Sequence, residues 1–121
     1  MLRVQAKNLG AVAVLRLKGQ IVTGETEILH QLLKSVSGVS TVVLDFAQVT
    51  TVDARGLGVM LELREQAESR GIRFELMNVN KRLGRVFEIT RLDTVFRITS
   101  TIKFFPAVSH RRRVRTLASC A

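Results

Sequence analysis

An α/β fold is predicted by three features of this 121-residue chain. Segments that alternate as strands do are interleaved with segments whose apolar residues recur at helical spacing. The run Thr41-Val42-Val43-Leu44-Asp45-Phe46 is nearly all apolar before Asp45, as expected of a strand covered by crossover helices or buried centrally. Glycines at 19, 38 and 71 stand where one pattern gives way to the next. With 46% hydrophobic residues, a chain of this length forms one domain and buries a core without metals or disulfides.

Val4-Gln5-Ala6 and Ala11 to Leu17 read as two strands, and the turn-forming Asn8-Leu9-Gly10 between them suits an antiparallel pair. Gly19 is expected to end the second. From Glu25 the period changes: Leu29, Leu32, Leu33 and Val36 fall at i, i+3, i+4 and i+7 before Gly38, which predicts a first helix. Thr41 to Phe46 is the third strand. A second helix runs from about Ala54 to Ser69, with Leu57, Met60, Leu61 and Ala67 on one face, Glu62, Glu65 and Glu68 toward solvent, and Gly71 as its stop. Arg73 to Asn78 alternates as a strand, and Asn80 then caps a short helix carrying Leu83, Val86 and Phe87. Val95 to Ile98 is a last short strand. The order is β-β-α-β-α-β-α and a final strand, so the β-α crossovers should be right-handed. The domain is expected to occupy residues 1–105, with a basic tail over 106–121.

Composition excludes several functions. Six Phe with no Trp or Tyr provide neither a base-stacking platform nor an aromatic cage. The histidines, His30 and His110, are too few and too scattered for a zinc site. The G-x-S-x-G elbow, the P-loop and the G-x-G-x-x-G fingerprint are all missing, so the expectation is a protein without catalytic activity or cofactor. The lone Cys120 suits a reducing cytoplasm. No run approaches the roughly 18 apolar residues of a membrane span, and no secretory signal is recognisable, so a cytoplasmic location is expected. Of the net charge of +9, Arg111, Arg112, Arg113 and Arg115 supply four near the end of the chain. That run lacks interleaved aromatics and any recognition-helix pattern, so a specific nucleic-acid partner is not expected.

The stretch Thr50-Thr51-Val52-Asp53-Ala54-Arg55-Gly56-Leu57-Gly58 joins the apolar third strand to the second helix and reads as strand, turn and helix start. Asp53 is a good N-cap, because its carboxylate can accept from an unpaired amide of the first helical turn. Gly56 and Gly58 are expected to let that turn pack closely against the strands. Such a site is built for contact rather than chemistry. Asp45 and Asp53 are the one carboxylate pair expected at a common sheet edge, where ligands bind in open α/β folds. They either divide acid and base roles or serve the backbone, Asp45 through loop amides and Asp53 as helix cap.

A strand, a loop, Asp-x-x-Gly-Leu and an amphipathic helix together resemble the STAS domain, the fold of bacterial anti-sigma factor antagonists, over about Ala11 to Ile98. The resemblance implies a mixed sheet wound with its helices as a right-handed β-α superhelix. It implies as partner a kinase-like anti-sigma factor, held by the loop before the second helix and by that helix's beginning, so that a sigma factor is released. The alternative it carries is an accessory subunit on the ABC-type ATPase of a lipid-transport system. Asp53, Gly56 and Leu57 match the family motif, but Ala54 stands where a phosphorylatable Ser is usual, and Arg55 departs at the next position. Alanine has no hydroxyl, so a phosphorylation switch either uses another residue, Thr50 or Thr51 being nearest, or is absent. Arg55 in a first helical turn opposes the helix dipole by roughly 0.3–1 kcal/mol, which a partner's acidic group would offset unless the side chain turns to solvent or Asp53. Thr23-Gly24-Glu25 is expected to flank the same edge. The candidate partner-binding set is therefore Thr50, Thr51, Asp53, Ala54, Arg55, Gly56, Thr23 and Glu25. The oligomeric state is not legible in the sequence.

Overall fold

Five strands form one mixed sheet in the order β1-β2-β3-β4-β5 in the computed structural model, which describes residues 2–99. The expected domain boundary after residue 105, the basic tail, His110 and Cys120 lie outside the described residues. β1 (Arg3–Leu9) runs antiparallel to β2 (Val12–Ile21). β3 (Thr41–Val52), β4 (Arg73–Met77) and β5 (Arg97–Thr99) then follow β2 in parallel, each beside the last. The crossovers carry α1 (Glu27–His30) with a 3-10 turn at Leu33–Ser35, then α2 (Ala54–Ser69), then α3 (Lys81–Ile89) with a 3-10 turn at Leu92–Thr94. This is the mixed α/β sheet that the sequence predicts.

Every parallel crossover steps one strand in the same direction, so crossovers of one hand place all the helices on one face. The main core lies between. Leu15, Leu17, Val42, Leu44, Phe46, Phe74 and Leu76 from the strands meet Leu29, Met60, Leu63, Leu83 and Phe87 from the helices. Phe87 anchors its far end, with ring centroids 6.4 Å from Phe46 and 5.7 Å from Phe96. On the other face of the sheet, Val14, Val43 and Met77 make a separate small cluster to which none of the described helices contributes.

Two elements differ from expectation in ways that bear on the site. The four apolar residues expected on the first helix are buried, yet the helix itself covers only Glu27–His30. Thr26 offers it no side-chain cap, and the Arg70 guanidinium, from the end of α2, donates to the Leu33 and Val36 carbonyls at 2.7 and 3.1 Å. Carbonyls left over by the interrupted helix thus find a charged donor. The third strand is twice the expected length, because its register with β2 slips between Arg16 and Lys18 and again between Gly19 and Gln20. Each slip inserts a residue on β3, so burial follows Phe46, Val49 and Val52 at three-residue steps instead of alternating. Gly19 consequently lies inside β2, at a φ of 123° that suits glycine, and does not end it. β1 begins and ends beyond the expected Val4–Ala6, and the final strand starts later than the expected Val95, after the 3-10 turn.

Candidate functional site

Asp53 is the single residue between β3 and α2, in extended conformation at φ −100° and ψ −177°. Its carboxylate is divided between two neighbours. Oδ1 accepts from the Gly56 amide at 2.8 Å, the N-cap bond expected of it. Oδ2 accepts from the Thr23 amide at 2.9 Å and from the Thr23 hydroxyl at 3.1 Å. One side chain therefore ties the start of α2 to the loop that leaves β2. The Thr23 amide foremost, then the Gly56 amide, hold the Asp53 carboxyl below its ordinary pKa. An ionised carboxylate with both oxygens occupied is a structural clamp and a poor proton carrier.

The helix start is also seated on the backbone of β2. The Asp53 amide donates to the Ile21 carbonyl at 3.2 Å. A Cβ placed on Gly56 would lie 2.0 Å from that same oxygen, so only hydrogen fits there. Gly58 is different: a Cβ there meets nothing within 4 Å, and the close packing expected of it does not occur. The Ile21 carbonyl is the part of this junction that sequence reasoning missed, although Gly56 was its signal.

Around this clamp, Thr23, Gly24, Thr51, Ala54 and Arg55 are exposed where β2 and β3 end. Thr50 and Thr51 lie in the extended β3, not in a turn, and the Thr50 hydroxyl donates to the Gly19 carbonyl at 3.3 Å. Arg55 forms no ion pair with a described residue. Glu25 is half-buried, and its Oε1 accepts from the Leu2 amide at 2.9 Å, so its carboxylate is engaged in holding the beginning of β1's chain.

Asp45 and Asp53 are not brought together. Seven residues of β3, Phe46 to Val52, lie between them, and the eight steps of extended chain span about 26 Å. Asp45 is buried where β4 ends beside β3; its Oδ1 accepts from the Ala47 amide at 2.9 Å and the Asn78 side-chain amide at 3.0 Å, and Arg16 approaches Oδ2 at 3.5 Å. It stabilises the first slip in β3 and shares no site with Asp53. Among the described residues no group of three His, Cys, Asp or Glu is placed to hold a metal ion, and no helix is long and apolar enough to cross a membrane.

Comparison with known proteins bears on this geometry. A protein of Thermotoga neapolitana, provisionally named an anti-sigma factor antagonist, is 34% identical over 65 residues, 54% of this chain and 58% of its own. The chain thus spans 58% of the length of the curated relatives it matches. The crystal structure of an anti-sigma factor antagonist from Mycobacterium paratuberculosis superposes with a TM-score of 0.74 at 18% identity, covering 89% of this chain and 93% of that one. A sulfate transporter family protein from Wolinella succinogenes shares the fold with a TM-score of 0.66 at 22% identity, over 80% and 84% of the two chains. The family model for the STAS domain matches residues 3–109, and the chain belongs to that family.

Proposed function

We propose that this chain is an anti-sigma factor antagonist that docks on a kinase-like anti-sigma factor through the edge where β2 and β3 end. The observation that carries the reading is the Asp53 clamp, which fixes the β2–α1 loop and the first turn of α2 together and leaves Thr23, Ala54 and Arg55 exposed beside it. A surface already held in shape loses little conformational entropy on binding. The relatives named as anti-sigma factor antagonists support the same reading. Occupying the anti-sigma factor would release its sigma factor and so regulate transcription. Because Ala54 has no hydroxyl, no phosphate can be added at that position, and binding is constitutive there. Arg55 is placed to meet a partner carboxylate, which would offset its unfavourable position in the helix dipole.

Affinity capture with the full chain as bait in its native cell, followed by titration of the purified partner, tests this. Recovery of a kinase-like anti-sigma factor that binds the purified chain is the expected result. Recovery of an ABC-type ATPase instead would assign the chain to a transport system, and RNA lost only at high salt would trace the capture to the arginine run.

A further inference from the structure

β1 is an edge strand, and no described strand pairs with its outer side. It is regular: seven successive residues, Arg3 to Leu9, pair with β2 without a bulge, and none of them is proline. Such an edge presents a row of unpaired amides and carbonyls, which folded proteins ordinarily blunt by shortening the strand, bulging it or placing charge on it. Here only charge is used, and all of it has one sign. The first 24 residues contain Arg3, Lys7, Arg16 and Lys18 but no Asp or Glu. Register puts all four cations on the sheet face away from the helices, with Arg3 opposite Lys18, Gln5 opposite Arg16 and Lys7 opposite Val14. Asp45 draws Arg16, whereas Arg3, Lys7 and Lys18 form no ion pair with a described residue. On the helix side, Val4 lies opposite the buried Leu17 and Ala6 opposite the buried Leu15, yet Val4 is only half-buried and Ala6 is exposed. The helical layer therefore stops short of this edge.

We propose that the outer edge of β1 accepts an acidic, extended segment of a partner protein as an added strand. Carboxylates at alternate positions of that segment meet Arg3 and Lys7, and the apolar residues between them lie beside Val4 and Ala6. A groove of about 660 Å³ at the start of β1 offers both kinds of contact, with Arg3, Arg16 and Lys18 lining it alongside Val4 and Ile28. Ile28, on α1, is 39% exposed and supplies apolar surface there. Backbone bonds along the edge give affinity, and the cations select the sign of the partner. The same charges turn away a second copy: antiparallel pairing centred on Gln5 sets each copy's Arg3 against the other's Lys7, and like charges directly opposite destabilise a strand pair. A phosphate polymer or an anionic membrane would satisfy the cations but leave the edge amides unpaired, so a polypeptide strand fits this edge better. The surface includes neither Asp53 nor the start of α2, so its occupancy is independent of anti-sigma factor docking.

Titration of the full chain with a short peptide alternating glutamate and valine, read by amide hydrogen exchange, tests the proposal. At saturation, the β1 amides that exchange freely in the chain alone should slow at least about tenfold as ladder bonds form. Arg3→Glu combined with Lys7→Glu should weaken the acidic peptide at least about tenfold and bind its lysine-valine counterpart instead. Both residues are exposed, so the melting temperature of that variant should stay close to wild type. A fully N-methylated acidic peptide keeps its charges but has no amide donors, and it should leave β1 unprotected. No binding of the acidic peptide, or protection of β1 that survives N-methylation, overturns the proposal. Protection that rises with chain concentration in the absence of peptide overturns it in favour of a second copy. Binding of RNA or of anionic phospholipid vesicles that the charge-reversed variant loses, with β1 left unprotected by the peptide, overturns it in favour of a polyanion.

Discussion

Replacing Gly56 with alanine puts a Cβ 2.0 Å from the Ile21 carbonyl oxygen and 2.8 Å from its carbon, atoms of a strand end that cannot rotate aside. The first turn of α2 must withdraw from β2, lengthening the Asp53 amide to Ile21 carbonyl bond of 3.2 Å. Overpacking of this kind costs about 1–3 kcal/mol, and a backbone obstacle belongs at the upper end of that range. Alanine's better helix propensity returns about 1 kcal/mol. The net expectation is a loss of about 2 kcal/mol, or a Tm lower by roughly 8 °C for a domain of this size. Gly58→Ala, two residues along the same helix, is the internal control: its Cβ meets nothing within 4 Å, so it should stabilise by about 0.5–1 kcal/mol. Thermal and urea unfolding of both variants decide the matter. A Gly56→Ala protein as stable as wild type, or two glycine variants that behave alike, would refute the seating of α2 on β2.

Two further perturbations follow from the same contacts. Because Asp53's pKa is lower in the folded state, the stability it contributes is present above its ordinary pKa, near 3.8, and is lost as pH falls through the folded value. Asp53→Asn should therefore lower stability at pH 7 and narrow its gap to wild type below about pH 4; a gap independent of pH over pH 2–7 would remove the carboxylate from the clamp. Arg70→Ala takes the guanidinium donor from the Val36 carbonyl and leaves the Leu33 carbonyl only the Val36 amide at 3.4 Å, and should cost about 1–3 kcal/mol in urea unfolding, with Arg70→Lys recovering only part because one ammonium does not reproduce the fork. Full recovery by lysine would show that charge alone matters there.

Residues whose role is set locally were legible in the sequence. Asp53 and Asn80 cap the helices they precede, since a side chain that accepts from the third residue onward needs no distant partner. The first helix was legible only as a buried face: Leu29, Leu32, Leu33 and Val36 are inside, but helical spacing reports burial, which two short turns joined by Arg70 satisfy as well. The far half of β3 was hidden for a different reason. Two inserted residues break the alternation that identifies a strand, so Thr50 to Val52 mimics a turn. The same misreading placed Asp45 beside Asp53. Glu25's bond to the Leu2 amide spans 23 residues and leaves no local signal. The candidate surface was legible because its organiser, Asp53, stands at a boundary where an apolar strand meets a helical period.

Constitutive docking through the start of α2 is tested most directly by titrating the captured anti-sigma factor against the wild-type chain, Ala54→Glu and Ala54→Gln, with the melting temperature of each. Ala54 is exposed, so both variants should melt close to wild type, and a carboxylate near the helix N-terminus stabilises by at most about 1 kcal/mol. Glutamate puts a second negative charge beside Asp53 in the contact and is predicted to weaken binding at least tenfold, equivalent to about 1.4 kcal/mol, with glutamine weakening it much less. Equal weakening by glutamine would make the effect steric. Undiminished affinity of a normally folded Ala54→Glu protein would contradict the assignment of this edge as the docking surface.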